Sequence, residues 1–432
     1  MTFEPFHRRR ISWLDPRMAP VFIAAAVMVA TFAIFWPTTL INGDEISYAG
    51  QARMLAALHV VPRDGDPFPA PLGTGGETVR YPLGRPALLA LPSVLGFRWM
   101  YLAPLILHMM GVLSFGRMLI RRDLPGHLAL VFAFHPVFWP FARTLMSDLP
   151  AVVGFIAAMD AWENEQPGMS ALGLGWAIAV RSASLFPALG FILAVSGALR
   201  KRSRDAMILG LGCTLGLLLE FASTELIHGS MTSRYSDAAS ALLSLSNAPE
   251  NLLLYAAGLM LIPPLPLLWL AASRRIERWA AVAVPSISFF IFYAYHDSST
   301  RLLETFLGGQ RLIMPAHAAL LMATSTTWGH LPFLKWTKLV FVSAVAAGWL
   351  GCFAVQHLEL RYGVARDALV ACEAKAVSYN TNASRVALAT DAQTFHLIDE
   401  RAPRAGDEVV IISRGSTDKP TSRPTVELHS SS

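Results

Sequence analysis

Stretches of about twenty residues almost without charge recur along this chain, starting with "APVFIAAAVMVATFAIFWPTTL" at 19–40. Crossing roughly 30 Å of hydrocarbon takes about 20 mostly apolar residues in a helix. Among open-ended elements, only a helix satisfies its own backbone there. By that criterion the expected spans are 19–40, 98–120, 127–142, 149–164, 170–183, 185–199, 206–227, 251–272, 279–295, 311–327 and 337–357. The expected fold class is therefore an all-α polytopic membrane protein with about eleven transmembrane helices. Composition agrees: 54% of the 432 residues are hydrophobic and only 15% charged, and the apolar residues come in blocks. Residues 84–96, "GRPALLALPSVLG", are apolar but too short to span, and fit a helix along the interface.

The basic residues give the orientation. With the N-terminus in the cytoplasm, "HRRR", "RRD" at 121–123, "RKRSRD" at 200–205, "RRIER" at 274–278 and "KWTK" at 335–338 all fall on the inner side. The net charge of +5 is thereby assigned to topology, and nucleic acid is rejected as a partner. The first apolar run lacks a small-residue cleavage site and reads as a retained helix. An odd span count puts the C-terminus outside. Residues 1–357 form the membrane domain, with 41–97 as its first outer loop. Residues 358–415 read as a small extracytoplasmic α/β domain, and 416–432 as a disordered tail. Cys213, Cys352 and Cys372 show neither a disulfide framework nor zinc-ligand spacing.

The polar residues on the outer side carry the functional question. "INGDEISYAGQARML" follows the first span. Asn42 with Glu45 three residues on makes a capping-box pattern, with Asp44 in the favourable first turn of a helix over 44–58. That helix places Asp44, Tyr48, Gln51 and Leu55 along one side, with Glu45 about 100° away. A cap alone does not require the long polar loop that follows, nor its arginine-bearing exit "RYPLGRP".

Four stretches together resemble the GT-C superfamily of polytopic glycosyltransferases, in the bacterial branch related to protein O-mannosyltransferases and lipid A aminoarabinose transferases. They are "GDEISYAGQARML", "YPLGRPALLALPSVLG", "RTLMSDLPA" with Asp148, and "QRLIMPAHAALL" with Arg311, in family order across 44–320. The proline turn lacks the lysine-Pro-Pro pattern of the lipid A branch, which leaves the acceptor open: a glycan, a lipid or a protein. The resemblance implies an inverting transfer of a sugar from a polyprenyl-phosphate donor at the outer face of the bacterial inner membrane. It implies Asp44 as the base for the acceptor hydroxyl. Asp148 and Glu45 would orient the acceptor or hold a divalent cation, if one is used.

A phosphate leaving group calls for nearby cations. Arg80, Arg85, Arg143, Arg181 and Arg311 lie toward the outer side, where positive-inside topology does not explain them. They are the expected phosphate ligands, with Tyr48 as a further substrate contact. Arg301 and His296 are weaker candidates. Two rival readings stay open: a transporter or flippase of a lipid-linked glycan, which calls for charges deep within several spans, and a noncatalytic membrane scaffold.

Overall fold

A computed structural model describes residues 10–37, 43–60, 81–200, 202–228, 243–261, 278–293, 302–328, 335–371, 408–413 and 425–430. The helices are α1 (Ala19–Ile34), α2 (Gly43–Ala56), α3 (Gly84–Ser93), α4 (Leu102–Arg121), α5 (Ala129–Ala133), α6 (Phe138–Ala142), α7 (Asp148–Glu163) and α8 (Pro167–Val180). They continue as α9 (Leu185–Leu199), α10 (Ser203–His228), α11 (Ala248–Leu261), α12 (Ala280–Phe290), α13 (Leu302–Leu312), α14 (Met314–Trp328) and α15 (Thr337–Ala371). Two strands, β1 (Glu408–Ser413) and β2 (Thr425–Ser430), follow.

Among the described residues, four helices are long and apolar enough to cross a membrane: Pro16–Ile34, Arg98–Arg121, Ser182–Leu199 and Ser203–Ile227. Pro167–Val180, Ala280–Phe290 and Thr337–Phe353 are shorter apolar helices. Two expected spans are interrupted where proline stands. The run 127–142 divides into α5 and α6 around His135-Pro136. Proline has no N–H to continue the ladder and biases its predecessor away from the helical region. The His135 ring takes over part of the lost bonding, its Nδ1 accepting from Val137 N–H at 3.2 Å. The run 311–327 is likewise broken at Ile313, before Pro315, so Arg311 belongs to the last turn of α13. A helix C-terminus favours a cation there.

The C-terminal expectations also change. Helix α15 runs from Thr337 to Ala371 and passes through the expected junction at 357/358. Strand β2 occupies part of the expected disordered tail, antiparallel to β1 with Val410 opposite Leu428 and Ile412 opposite Val426. The strand-like "RVALAT" at 385–390 lies outside the described residues.

The chain divides into two compact units. The first is Met1–Ile34, Leu105–Ala142 and Ser147–Gly351; the second is Phe35–Pro104, Arg143–Met146 and Cys352–Ser432. In the first unit α8 packs against both α7 and α10, and α12 against α9 and α14. Glycines let these backbones approach. A Cβ on Gly154 would lie 2.8 Å from the Gly173 carbonyl oxygen, and one on Gly173 2.7 Å from that of Gly154. Close backbone contact through small residues is what holds helices together where lipid removes the hydrophobic drive.

The same unit buries an ion network at the ends of α4 and α7. Arg117 holds Asp160 in a bidentate pair, and Arg121 also pairs with Asp160. Arg121 reaches Glu163 at 3.2 Å and Arg122 reaches it at 2.6 Å. Trp279 Nε1–H donates to Glu163 at 2.7 Å, and the Arg117 guanidinium lies 3.9 Å from the Trp13 ring centre. In the second unit α2 packs on α3.

Candidate active site

The acidic pair opens α2, as its sequence suggests. The side chain of Asp44, the residues Asn42 and Arg80, and the weaker candidates His296 and Arg301 lie outside the described residues. Glu45 is fully buried, and its Oε1 accepts from Leu145 N–H at 2.7 Å. Arg85, near the start of α3, is also fully buried, and its Nε–H donates to the Leu145 carbonyl at 2.9 Å. One backbone unit is thus held on its donor by one side chain and on its acceptor by another.

Arg143 is buried in the same unit. It donates to the Phe35 carbonyl and, at 3.6 Å, to Cys352 Sγ. Tyr48 stacks on Tyr81 with ring centres 4.5 Å apart, while Gln51 Nε2 donates to the Tyr81 carbonyl at 2.6 Å. The Tyr48 face of α2 therefore grips the residue that opens the "YPLGRP" turn. Of the residues expected to bind substrate, Glu45, Arg85, Arg143 and Tyr48 all make bonds that fasten segments of the second unit.

Three other expected residues converge in the first unit. Asp148 opens α7 and is 3% exposed. Arg181, at the C-terminal end of α8, pairs with its Oδ1, and Arg311 Nε lies 3.7 Å from its Oδ2. The Arg181 guanidinium stands 5.5 Å from the Phe290 ring centre, and that of Arg311 5.9 Å from the Phe141 ring centre. The aromatic faces add cation–π attraction and exclude water. Two guanidiniums thus meet on one carboxylate, a geometry that also suits charge-assisted bonding to an anion.

Beside it, Gln310 Nε2 donates to the Leu254 carbonyl at 2.8 Å and its Oε1 meets His317 Nε2 at 3.0 Å. These buried side chains hold α13 and α14 across their break, next to Arg311. The motif reading missed Gln310, although its place beside Arg311 in "QRLIMP" was visible. Among the described residues, no group of three or more His, Cys, Asp or Glu side chains could hold a metal ion.

No family model and no curated relative matches the chain. Solved structures do. ArnT from Cupriavidus metallidurans in the apo state aligns with a TM-score of 0.50 at 15% identity, over 86% of this chain and 74% of that one. The same protein bound to undecaprenyl phosphate aligns with a TM-score of 0.49 at 14% identity, over 87% and 75%. ArnT is a GT-C lipid A aminoarabinose transferase.

The chain shares the fold of ArnT. The resemblance carried by the four sequence stretches is met at the level of architecture. Within this fold the third and fourth stretches come together as Asp148 and Arg311. The first and second come together through α2 and α3, with Tyr48 on Tyr81.

Proposed function

We propose that the protein is an integral-membrane glycosyltransferase of the GT-C kind. It moves a sugar from a polyprenyl-phosphate donor to an acceptor at the outer face of the inner membrane. The observation that carries this reading is Asp148 held by Arg181 and Arg311 at the start of α7. The opposite end of α7 sits in the Arg117–Arg121–Arg122 network, on the basic side of the chain. In this reading the Asp148 cluster lies toward the other face, where a lipid phosphate on the outer leaflet would be.

In the proposed reaction the acceptor hydroxyl oxygen attacks the anomeric carbon from the side opposite the phosphate. The bond from that carbon to the phosphate oxygen breaks, and the lipid phosphate leaves as an anion. The hydroxyl proton passes to Asp44, and the sugar is delivered with inverted configuration. Arg181 and Arg311 offset the charge that grows on the leaving phosphate, where fixed donors act without reorganising.

The test is an analysis of envelope lipids and glycans in cells lacking the protein, complemented with wild type or with Asp44→Asn. Loss of one sugar modification, restored by wild type and not by Asp44→Asn, is the expected result. Full restoration by Asp44→Asn removes Asp44 from the chemistry. Accumulation of a complete lipid-linked glycan on the cytoplasmic leaflet would favour a flippase instead.

A further inference from the structure

We infer that Glu45 and Arg85 are positioning residues that clamp the backbone of Leu145, so that the two carboxylates of the Asp44–Glu45 pair have separate tasks. The clamp joins three segments distant in sequence, at the start of α2, the start of α3 and the stretch before α7. Glu45 holds the Leu145 N–H and Arg85 holds the Leu145 carbonyl, and neither side chain has exposed surface. The neighbours of Leu145 are tied as well. Arg143 donates to the Phe35 carbonyl, and Met146 N–H donates to Thr144 Oγ1 at 3.4 Å. Residues 143–146 are thus stitched in place, and three residues after Leu145 the chain reaches Asp148.

The chemistry of the bonds decides what each side chain must supply. A backbone N–H needs only an acceptor oxygen, which a carboxylate and a primary amide both provide. A carboxylate that took a proton from a sugar hydroxyl would instead need its charge. Glu45→Gln keeps an oxygen for Leu145 and removes the charge; Glu45→Ala removes both. The two substitutions separate holding from proton transfer.

Amide hydrogen exchange of full-length protein in detergent, read by mass spectrometry on the peptide covering 143–149, reports on the clamp without reference to any reaction. Losing a bond to a charged acceptor raises exchange by about ten- to hundredfold. Glu45→Ala is expected to show that rise at Leu145. Glu45→Gln stays within about fivefold of wild type, since its amide oxygen still accepts. Arg85→Ala is expected to loosen the same peptide by releasing the Leu145 carbonyl.

The activity arm rests on the sugar-transfer reading: Glu45→Gln loses less than about tenfold of the transfer rate and Asp44→Asn about a thousandfold or more. An unprotected Leu145 amide in folded Glu45→Gln, or an unchanged one in Glu45→Ala, overturns the clamp. So does Glu45→Gln as inactive as Asp44→Asn with Leu145 still protected, because charge on Glu45 would then be the need. Should Glu45→Ala not fold, Glu45→Gln decides alone. Absence of transfer by wild type counts against the proposed function and leaves the exchange result standing.

Discussion

Asp148 is the residue on which the first unit's charges turn, because it answers two guanidiniums at once. Removing one partner of a buried ion pair leaves the other charge uncompensated, at a cost of about 3–5 kcal/mol. Asp148→Asn is accordingly expected to lower thermal stability in detergent steeply, because Arg181 and Arg311 both lose its charge. Arg181→Gln combined with Asp148→Asn removes one of the two opposed charges. The double variant should therefore be more stable than Asp148→Asn alone, a coupling that a double-mutant cycle measures. Additive losses would show that Arg181 and Asp148 stand independently. These three residues were legible in the sequence because positive-inside topology left Arg181 and Arg311 unexplained and the third motif marked Asp148. Asp160 and Glu163 were not legible. The run "RRD" was already accounted for as a topological signal, so nothing asked for buried partners to Arg121 and Arg122.

At the scale of elements, the close approach of α7 and α8 gives a contrast within one residue type. Gly154→Ala places a methyl group 2.8 Å from the Gly173 carbonyl oxygen, backbone that cannot swing away. Overpacking of this kind costs about 1–3 kcal/mol, so thermal unfolding should shift down. At Gly210, inside α10, a Cβ meets nothing within 4 Å. Alanine there removes backbone freedom from the unfolded chain without a clash, and stability should hold or rise by up to about 1 kcal/mol. Equal losses at both positions would refute the packing argument. Helix existence was readable from the apolar runs, whereas helix continuity was not. The fate of "FHPV" and "LIMP" depends on whether neighbouring side chains take up the freed backbone groups, as His135 does for Val137.

For the whole molecule, the ion network bears on the path of the broken run 127–142. Arg17 lies 3.6 Å from Asp123, Arg10 lies 3.2 Å from Glu165, and Arg122 grips Glu163. The start of α1, the end of α4 and the end of α7 therefore share one face. Helix α7 has sixteen residues, a length of about 24 Å, enough to carry the chain most of the way across the hydrocarbon. On the expected topology its first residue, Asp148, stands toward the opposite face. The expected topology puts the end of α4 on one side and the start of α7 on the other, with residues 123–148 crossing between them despite the interruption at Pro136. Between the short helices α5 and α6, Phe134, His135 and Val137 are buried, which keeps the irregular backbone enclosed by protein.

Single cysteines at exposed Asp123 and at Glu165, in a background lacking Cys372, should react with a membrane-impermeant maleimide only when the cytoplasmic face is opened. Labelling of Asp123→Cys and Glu165→Cys from opposite faces would break the argument. The same network separates two roles that basic residues play here. Arg121→Gln and Arg122→Gln remove buried pairs, and should lower thermal stability while leaving the orientation unchanged. Arg202 and Arg204 are exposed, so the topological signal is expected to rest on the "RKRSRD" turn. Replacing its four basic residues with glutamine should weaken the inside preference of that turn, read by reporter fusions at 202.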